Sequence, residues 1–313
     1  MSGGEQGARP PGGRVAVVGS LNMDLVVRAP RLPKPGETLS GHGYAQAAGG
    51  KGGNQAVAAA RLGAQVAMLG RLGDDANGAA LRAALEAERI DCAALATSAG
   101  VPTGVALIVV DDASQNAIVI VAGGNGLVTP EDVAAHDAMI AAADVLVCQL
   151  ETPLPAVRAA LEAGRRHARI VVLNPAPALA PLPDGWLPLV DWLIPNEIEA
   201  AALTGVPIAT PADAELAARR LAEGGARNVI VTLGGQGVVA RYADGGTRHY
   251  PAPKVAAIDT TAAGDTFIGG FAARLAAGDA LDEAIRFAQR AAALSVTRVG
   301  AQPSIPTLQE LSA

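Results

Sequence analysis

Aromatic side chains are scarce in this chain: Phe, Trp and Tyr together make up 3% of its 313 residues. A ligand recognised by stacking of a nucleobase on an aromatic platform is therefore disfavoured. Clustered positive charge is lacking as well. A formal net charge of −6 and a pI near 5.3 speak against nucleic acid or an anionic membrane as the main partner. Only two cysteines occur, Cys92 and Cys148, far apart and without CxxC spacing, which indicates neither a disulfide framework nor a zinc site. They read as reduced thiols of a cytosolic protein. The four histidines, His42, His136, His167 and His249, never approach helical i, i+3 or i+4 spacing, so no local metal cluster is indicated. No apolar run reaches the roughly 20 residues of a membrane helix. The Gly/Pro-rich start, residues 1–13, lacks the apolar segment of a secretion signal and is expected to be a disordered tail. A cytoplasmic location follows as the expectation. What the chain does have is a hydrophobic fraction of 50%, enough to fill a large core. A small-molecule ligand is the class left in front.

From Arg14 onward, short β-branched runs alternate with alanine-rich stretches of helical period, the pattern of a parallel sheet covered by helices. Strands are read at RVAVVGS, QVAMLGRLG, DVLVCQLE, RIVVLNPAP, DWLIPNE and NVIVTLGGQG, and helices over 54–62, 76–87, 155–167, 212–224, 264–277 and 281–297. Ligands of open α/β sheets bind beyond the carboxyl ends of the strands. The polar strand tails GSLNMD, QLE, NPAP, PNE and TLGGQG are thus expected to converge on one site. Two segments break the alternation, 25–46 and 103–124, and the second reads as two strands joined by a polar turn. A small β-lid built from about 22–46 and 103–124 is expected on one domain spanning 14–313. Such a lid closes over ligand to exclude water, and its apolar face is also a candidate pairing surface for another subunit.

Familiar phosphate loops are missing. GGKGGN has no Ser or Thr after Lys51, so it is no Walker A loop, and no GxGxxG with a partnering acid follows the first strand. TLGGQG follows a buried strand and is either a nucleotide-approaching turn or an ordinary glycine turn. The stretch DTTAAGDTFIGG places Asp265 at a helix start, where it is either a cap or a general base. In the second case the small residues Ala262, Ala263 and Gly264 would turn their backbone N–H groups toward a transferring phosphoryl group as an anion hole. Asn22, Asp24, Lys51, Asn54 and Glu151 are amide or charged groups at apolar strand ends, the chemistry that holds a polyol, though each also suits a turn or cap. In PNEIE, Asn196 and Glu199 form either a capping box or a pair that orders water around a nucleotide-bound Mg²⁺.

These motifs resemble the PfkB carbohydrate kinases from about Arg14 to Ser304. GGKGGNQAVAAARLGA is similar to the family's N-terminal signature and DTTAAGDTF to its C-terminal one. NPAP, PNEIEA, TLGGQG and VTRVGAQPS, in that order, point within the family to the branch that phosphorylates D-ribose at O5. The resemblance implies a Rossmann-type three-layer α/β/α domain with a mostly parallel central sheet and a small β-sheet lid. It implies Asp265 as the base with the backbone of 262–264 as anion hole. Sugar contacts would come from Asn22, Asp24, Gly50, Lys51, Gly52, Asn54 and Glu151. Nucleotide contacts would come from Asn196, Thr232, Gly234, Gly235, Gly237, Gly264 and Gln289, with Glu199 acting on Mg²⁺ through water. A monovalent cation, usually K⁺, would take oxygens from Asp259, Thr261, Ser295, Arg298, Gly300 and Ser304. The implied reaction uses ATP, and a homodimer through the lid is expected. Ala262 departs from the glycine common at its position, and Ile268 from the common asparagine. The alternatives are another sugar or nucleoside acceptor, namely deoxyribose, a fructose-type sugar or adenosine, or a non-catalytic sugar sensor.

Overall fold

The computed structural model describes residues 12–113 and 115–312. The expected tail therefore lies outside the described residues except for Gly12 and Gly13. Those two are packed on the body: a Cβ on Gly12 would stand 2.0 Å from the Gly63 carbonyl oxygen, and Gln65 N–H donates to the Gly13 carbonyl at 3.0 Å.

The first half of the chain forms β1 (Arg14–Val18), β2 (Asn22–Ala29), β3 (Gly43–Gly49), α1 (Lys51–Arg61), β4 (Gln65–Gly73), α2 (Ala76–Ala87), β5 (Leu95–Ser98), β6 (Gly104–Asp111), β7 (Asn116–Val121), α3 (Pro130–Ala135), α4 (Asp137–Ala142) and β8 (Val145–Cys148). The second half adds α5 (Leu154–Arg166), β9 (Ile170–Leu173), β10 (Trp192–Leu193), α6 (Glu197–Thr204), α7 (Pro211–Glu223), β11 (Asn228–Thr232), β12 (Val238–Arg241), β13 (Thr247–Tyr250), α8 (Ala263–Ala277), α9 (Leu281–Ser295) and α10 (Leu308–Ser312).

The main sheet has nine strands in the order β13-β12-β11-β10-β9-β8-β1-β4-β5. Pairing is parallel except at the β11–β12–β13 edge, where the strands turn back as antiparallel neighbours. One apolar cluster fills the side covered by α1, α2, α8 and α9, and another fills the side of α3 to α7, which makes three layers. The chain runs outward from β1 to β4 and β5, then returns to start β8 on the other side of β1 and runs outward the opposite way, so the crevice beyond Val18 and Cys148 is the topological switch point where ligands enter such sheets.

Helix α8 is the spine of the site. Phe271 is fully buried and meets the Trp192 ring edge-on at 5.1 Å, and burying an aromatic of this size is worth roughly 1.5–3 kcal/mol. Where α8 crosses α1, glycine is obligatory: a Cβ on Gly269 would lie 2.5 Å from the Ala58 Cβ and 2.6 Å from the Gln55 carbonyl oxygen. This close crossing sets the first turn of α8 against the polar start of α1.

A second sheet of four strands, in the order β3-β2-β6-β7, stands off the main one. Its central pair, β2 and β6, is parallel, and β3 and β7 flank it antiparallel. The hairpin β6–β7 matches the two strands and turn read within 103–124. Helix α1 starts at Lys51, three residues earlier than glycine composition suggested. Tertiary packing overrides the poor helix propensity of Gly52 and Gly53: a Cβ on Gly52 would meet the Ser20 nitrogen at 2.5 Å, and one on Gly53 the Leu21 side chain at 2.8 Å. No helix among the described residues is long and apolar enough to cross a membrane.

Candidate active site

Five strand ends and the starts of α1, α6 and α8 meet at the switch point. A cavity of about 170 Å³ opens beyond β9, β10 and β11, lined among others by Lys51, Asn174, Asn196, Glu199, Thr232 and Asp265. The tails NPAP, PNE and TLGGQG line it, while QLE and GSLNMD join the same cluster through the Gln149–Gln55 and Ser20–Glu151 hydrogen bonds.

Asp265 sits in the first turn of α8 and is 8% exposed. Its two carboxylate oxygens accept from separate amides of α1, Oδ2 from Asn54 Nδ2 at 2.9 Å and Oδ1 from Gln55 Nε2 at 2.8 Å. Burial drives its pKa above the ordinary carboxylate value, while the Lys51 ammonium and the two amides pull against that rise. Lys51 is itself largely buried. Burial works to discharge it, and the carboxylates of Asp265, Glu151 and Glu199 outweigh burial, so it stays firmly cationic.

The turn before Asp265 has an open, left-handed start. Ala262 is the N-cap at φ 58, and the absence of a Cβ clash elsewhere in the turn leaves Gly264 facing the cavity: a Cβ there would meet no protein atom within 4 Å. The Ala263 N–H already donates to the Thr260 carbonyl at 3.2 Å. The Gly264 and Asp265 N–H groups lack an intramolecular acceptor among the described residues and form the exposed positive end of α8.

Toward β1 and β8, Glu151 follows β8 and accepts from Ser20 Oγ at 2.5 Å and from the Lys51 backbone N–H at 3.0 Å. Gly50 caps α1 at φ 83, with only 2.7 Å between a would-be Cβ and the Asn22 nitrogen, so only glycine lets α1 start against β2. Asn22 is aimed by Asn125, whose Nδ2 donates to Asn22 Oδ1 at 2.8 Å. Asp24 lies one strand repeat further along β2. Burial first, then Glu151 and Asp265, push its pKa up to about 7.

At the far end, Asn196 and Glu199 do form a capping box at the start of α6. The functional alternative is not displaced, because both also line the cavity, and burial raises the Glu199 pKa. Thr232 ends β11. Gly234 has φ +50, and neither it nor Gly235 has a protein neighbour where a Cβ would sit, so this turn is open to a ligand backbone-first. Gly237 differs: at φ +95 its Cβ would strike the Tyr250 carbonyl oxygen at 2.0 Å, a structural need for glycine. Gln289 stands apart from the cavity lining, its Nε2 donating to the Tyr250 carbonyl at 2.8 Å.

The loops expected to hold a monovalent cation also come together. Asp259 Oδ1 accepts from the Thr261 N–H at 2.9 Å, and Oδ2 accepts from the Gly300 N–H at 2.8 Å. Ser295 and Ser304 are buried, with their hydroxyls donating to the Ala292 and Ala301 carbonyls. The Arg298 guanidinium points away, to Glu310 at 2.6 Å, which leaves its backbone for this region.

Four residues that motif reading passed over support the site: Gln55, Asn125, Gln149 and Asn174. Their partners are as far as 210 residues away in sequence, which no local pattern encodes. Only the placement of Gln149 and Asn174 on the polar strand tails QLE and NPAP marked their neighbourhood.

A family model described as pfkB family carbohydrate kinase matches residues 13–308. The chain belongs to the pfkB family. Among its pfkB relatives, the ribokinase of Haemophilus influenzae is 48% identical over 297 residues, covering 95% of this chain and 96% of that protein. The deoxyribokinase of Salmonella typhimurium is 39% identical over 300 residues, covering 95% and 97%. The structure of Arabidopsis thaliana ribokinase complexed with ribose and ATP superposes with a TM-score of 0.90 at 33% identity, covering 96% of this chain and 97% of that one. The pfkB membership accounts for both signature motifs and for the three-layer fold with its smaller second sheet.

Proposed function

We propose that this cytoplasmic pfkB enzyme is an ATP-dependent kinase of D-ribose, producing D-ribose 5-phosphate and ADP. The observation that carries the reading is the buried Asp265 carboxylate, held by two amides at the open N-terminus of α8, with Lys51, Glu151 and Asp24 close enough to act on it electrostatically. Asn22, Asp24, Gly50, Lys51, Gly52, Asn54 and Glu151 hold the sugar hydroxyls. An unpaired buried oxygen, Asn54 Oδ1, supports a polar ligand at this point.

In the transfer step the O5–H proton passes to Asp265, O5 forms a bond to the γ-phosphorus, and the bond from that phosphorus to the β–γ bridging oxygen breaks, its electron pair leaving with ADP. The anion hole at 262–264, with its open donors at Gly264 and Asp265, meets the charge that spreads over the transferring oxygens. Asn196, Thr232, Gly234, Gly235, Gly237, Gly264 and Gln289 form the nucleotide side.

Mg²⁺ fits as a partner of the triphosphate, because the buried Glu199 carboxylate lines the cavity and is an oxygen donor for the ion's water shell. Glu199 would hold it through water. K⁺ fits the loops around Asp259, Thr261, Ser295, Arg298, Gly300 and Ser304, a set of hard oxygens with a single carboxylate. When bound, these ions neutralise charge beside the phosphates and stiffen the turn before α8. The small sheet acts as a lid over the sugar, and its exposed apolar face pairs two copies into a homodimer.

ADP release across ribose, 2-deoxyribose, fructose and adenosine, with and without K⁺, tests the reading. Ribose should lead and K⁺ should accelerate it. Faster turnover of adenosine or of 2-deoxyribose would overturn the substrate assignment. The deoxyribose arm matters because Asp24, on this reading, accepts from the 2- and 3-hydroxyls.

A further inference from the structure

Beneath Asp265 runs a chain of buried side-chain amides that the transfer step does not use. Gln149 Nε2 donates to Gln55 Oε1 at 2.7 Å. Gln55 Nε2 donates to Asp265 Oδ1 at 2.8 Å and to Asn174 Oδ1 at 3.3 Å. Asn174 Nδ2 donates to the Ile194 carbonyl at 2.9 Å. Gln55 and Gln149 are both 0% exposed.

The sense of this chain is not free. A backbone carbonyl only accepts, so Ile194 turns the Asn174 NH₂ toward itself and the Asn174 oxygen toward Gln55. That oxygen and the Asp265 carboxylate then both demand the Gln55 NH₂. Gln149 closes the other end by donating to the Gln55 oxygen. A flipped Gln55 would set its oxygen against two acceptors, one of them anionic, at a position with no solvent exposure.

We propose that Gln55, with its orientation fixed by Gln149 and Asn174, is a positioning residue that aims the Asp265 carboxylate and keeps it ionised for proton removal. The inference rests on the reading of Asp265 as the base. Burial favours the protonated acid, the form with no capacity to take the O5 proton, and the other charged groups facing it divide: Lys51 favours the anion, whereas Glu151, Asp24 and Glu199 oppose it. The donor from Gln55 adds to that from Asn54 on the ionised side. Gln149 never touches Asp265, which makes it the informative position.

The test is the pH dependence of kcat and KM for ribose in Gln55→Met, Gln149→Glu and Gln149→Met, with thermal melts of each and Asp265→Asn alongside. A carboxylate at 149 cannot donate to the Gln55 oxygen; it attracts the Gln55 NH₂ and turns the oxygen toward Asp265. Methionine at 149 only removes a donor and leaves the NH₂ where it is. The expected results are a kcat lowered by ~10-fold or more in Gln55→Met and Gln149→Glu, with KM changed little. The acidic limb of kcat should move up by about one pH unit in both, because the base is now protonated at higher pH. Gln149→Met should show a smaller shift.

An acidic limb unmoved in Gln55→Met and in Gln149→Glu, in variants that melt cooperatively, overturns the proposal. So does damage in Gln149→Met equal to that in Gln149→Glu, which would mean packing alone. If Asp265→Asn keeps its turnover, the base assignment fails with it; if Asp265→Asn is inactive and the limbs stay put, only the amide chain fails.

Discussion

Asp24, assigned to the sugar in the proposed function, is held at a cost to stability. Its carboxyl is desolvated, and Glu151 and Asp265 lie near it, so its pKa stands at about 7 against an ordinary 3.8. An acid whose folded pKa lies above its unfolded value leaves the fold undisturbed at low pH and burdens it increasingly as pH rises from the unfolded toward the folded value. Asp24→Asn should therefore raise Tm by a few degrees at pH 8, on the order of the shift expected for ~1 kcal/mol, while abolishing tight ribose binding. A melting curve and a calorimetric titration on the same sample check both halves. The wild type carries its own signature: a protonated Asp24 no longer accepts from two sugar hydroxyls, so ribose affinity should weaken as pH falls through about 7. A titration flat from pH 8 to pH 6 would remove Asp24 from the sugar site.

Helix α8 separates two kinds of glycine that look alike in sequence. Gly264 faces empty cavity, whereas Gly269 is pressed onto α1. Gly264→Ala should fold with an unchanged Tm yet lose ~10-fold or more in kcat, as its methyl group enters the space of the transferring phosphoryl group. Gly269→Ala should cost on the order of 1–3 kcal/mol by overpacking and loosen the α1–α8 crossing that sets Asn54 and Gln55 on Asp265. Urea denaturation and steady-state kinetics distinguish the two patterns.

Much of this level was legible beforehand, because strands β1, β8, β9 and β11 are rich in β-branched residues, β4 carries the apolar run VAML, and helices α2, α5, α7 and α9 carry a clear apolar stripe. Strands β5, β12 and β13 were not: each has four residues, with β5 and β13 at the sheet edges and β12 beside β13, too short to show a pattern of their own. The true start of α1 was hidden for the same reason: Gly52 and Gly53 read as loop, and only their contact with Ser20 and Leu21 makes them helix. Asp265 was legible in the second signature motif, and Asp24 and Glu151 on the polar strand tails GSLNMD and QLE. The amides that hold them were not, since Gln55, Gln149 and Asn174 act through contacts between distant segments.

On the scale of the whole molecule, the second sheet is the part with unfinished business. Tyr44, Leu107, Val119 and Val121 are 65%, 46%, 62% and 47% exposed, and the strand register sets them on the side opposite Asp24. Isolated apolar side chains are ordinary, but a contiguous sheet face is a binding surface. Sedimentation of the wild type should give a dimer, and Val119→Asp should shift it to monomer with a folded main domain; a monomeric wild type would remove the homodimer from the account.

The claim that ties residue, element and molecule together is that Asp265 takes a proton from bound ribose. Asp265→Asn, assayed by ADP release at saturating ribose and ATP with ribose affinity measured on the same protein, addresses it directly. The account predicts ribose affinity close to that of the wild type and turnover reduced by at least ~10²-fold. Turnover within a few-fold of the wild type would place the base elsewhere and contradict it.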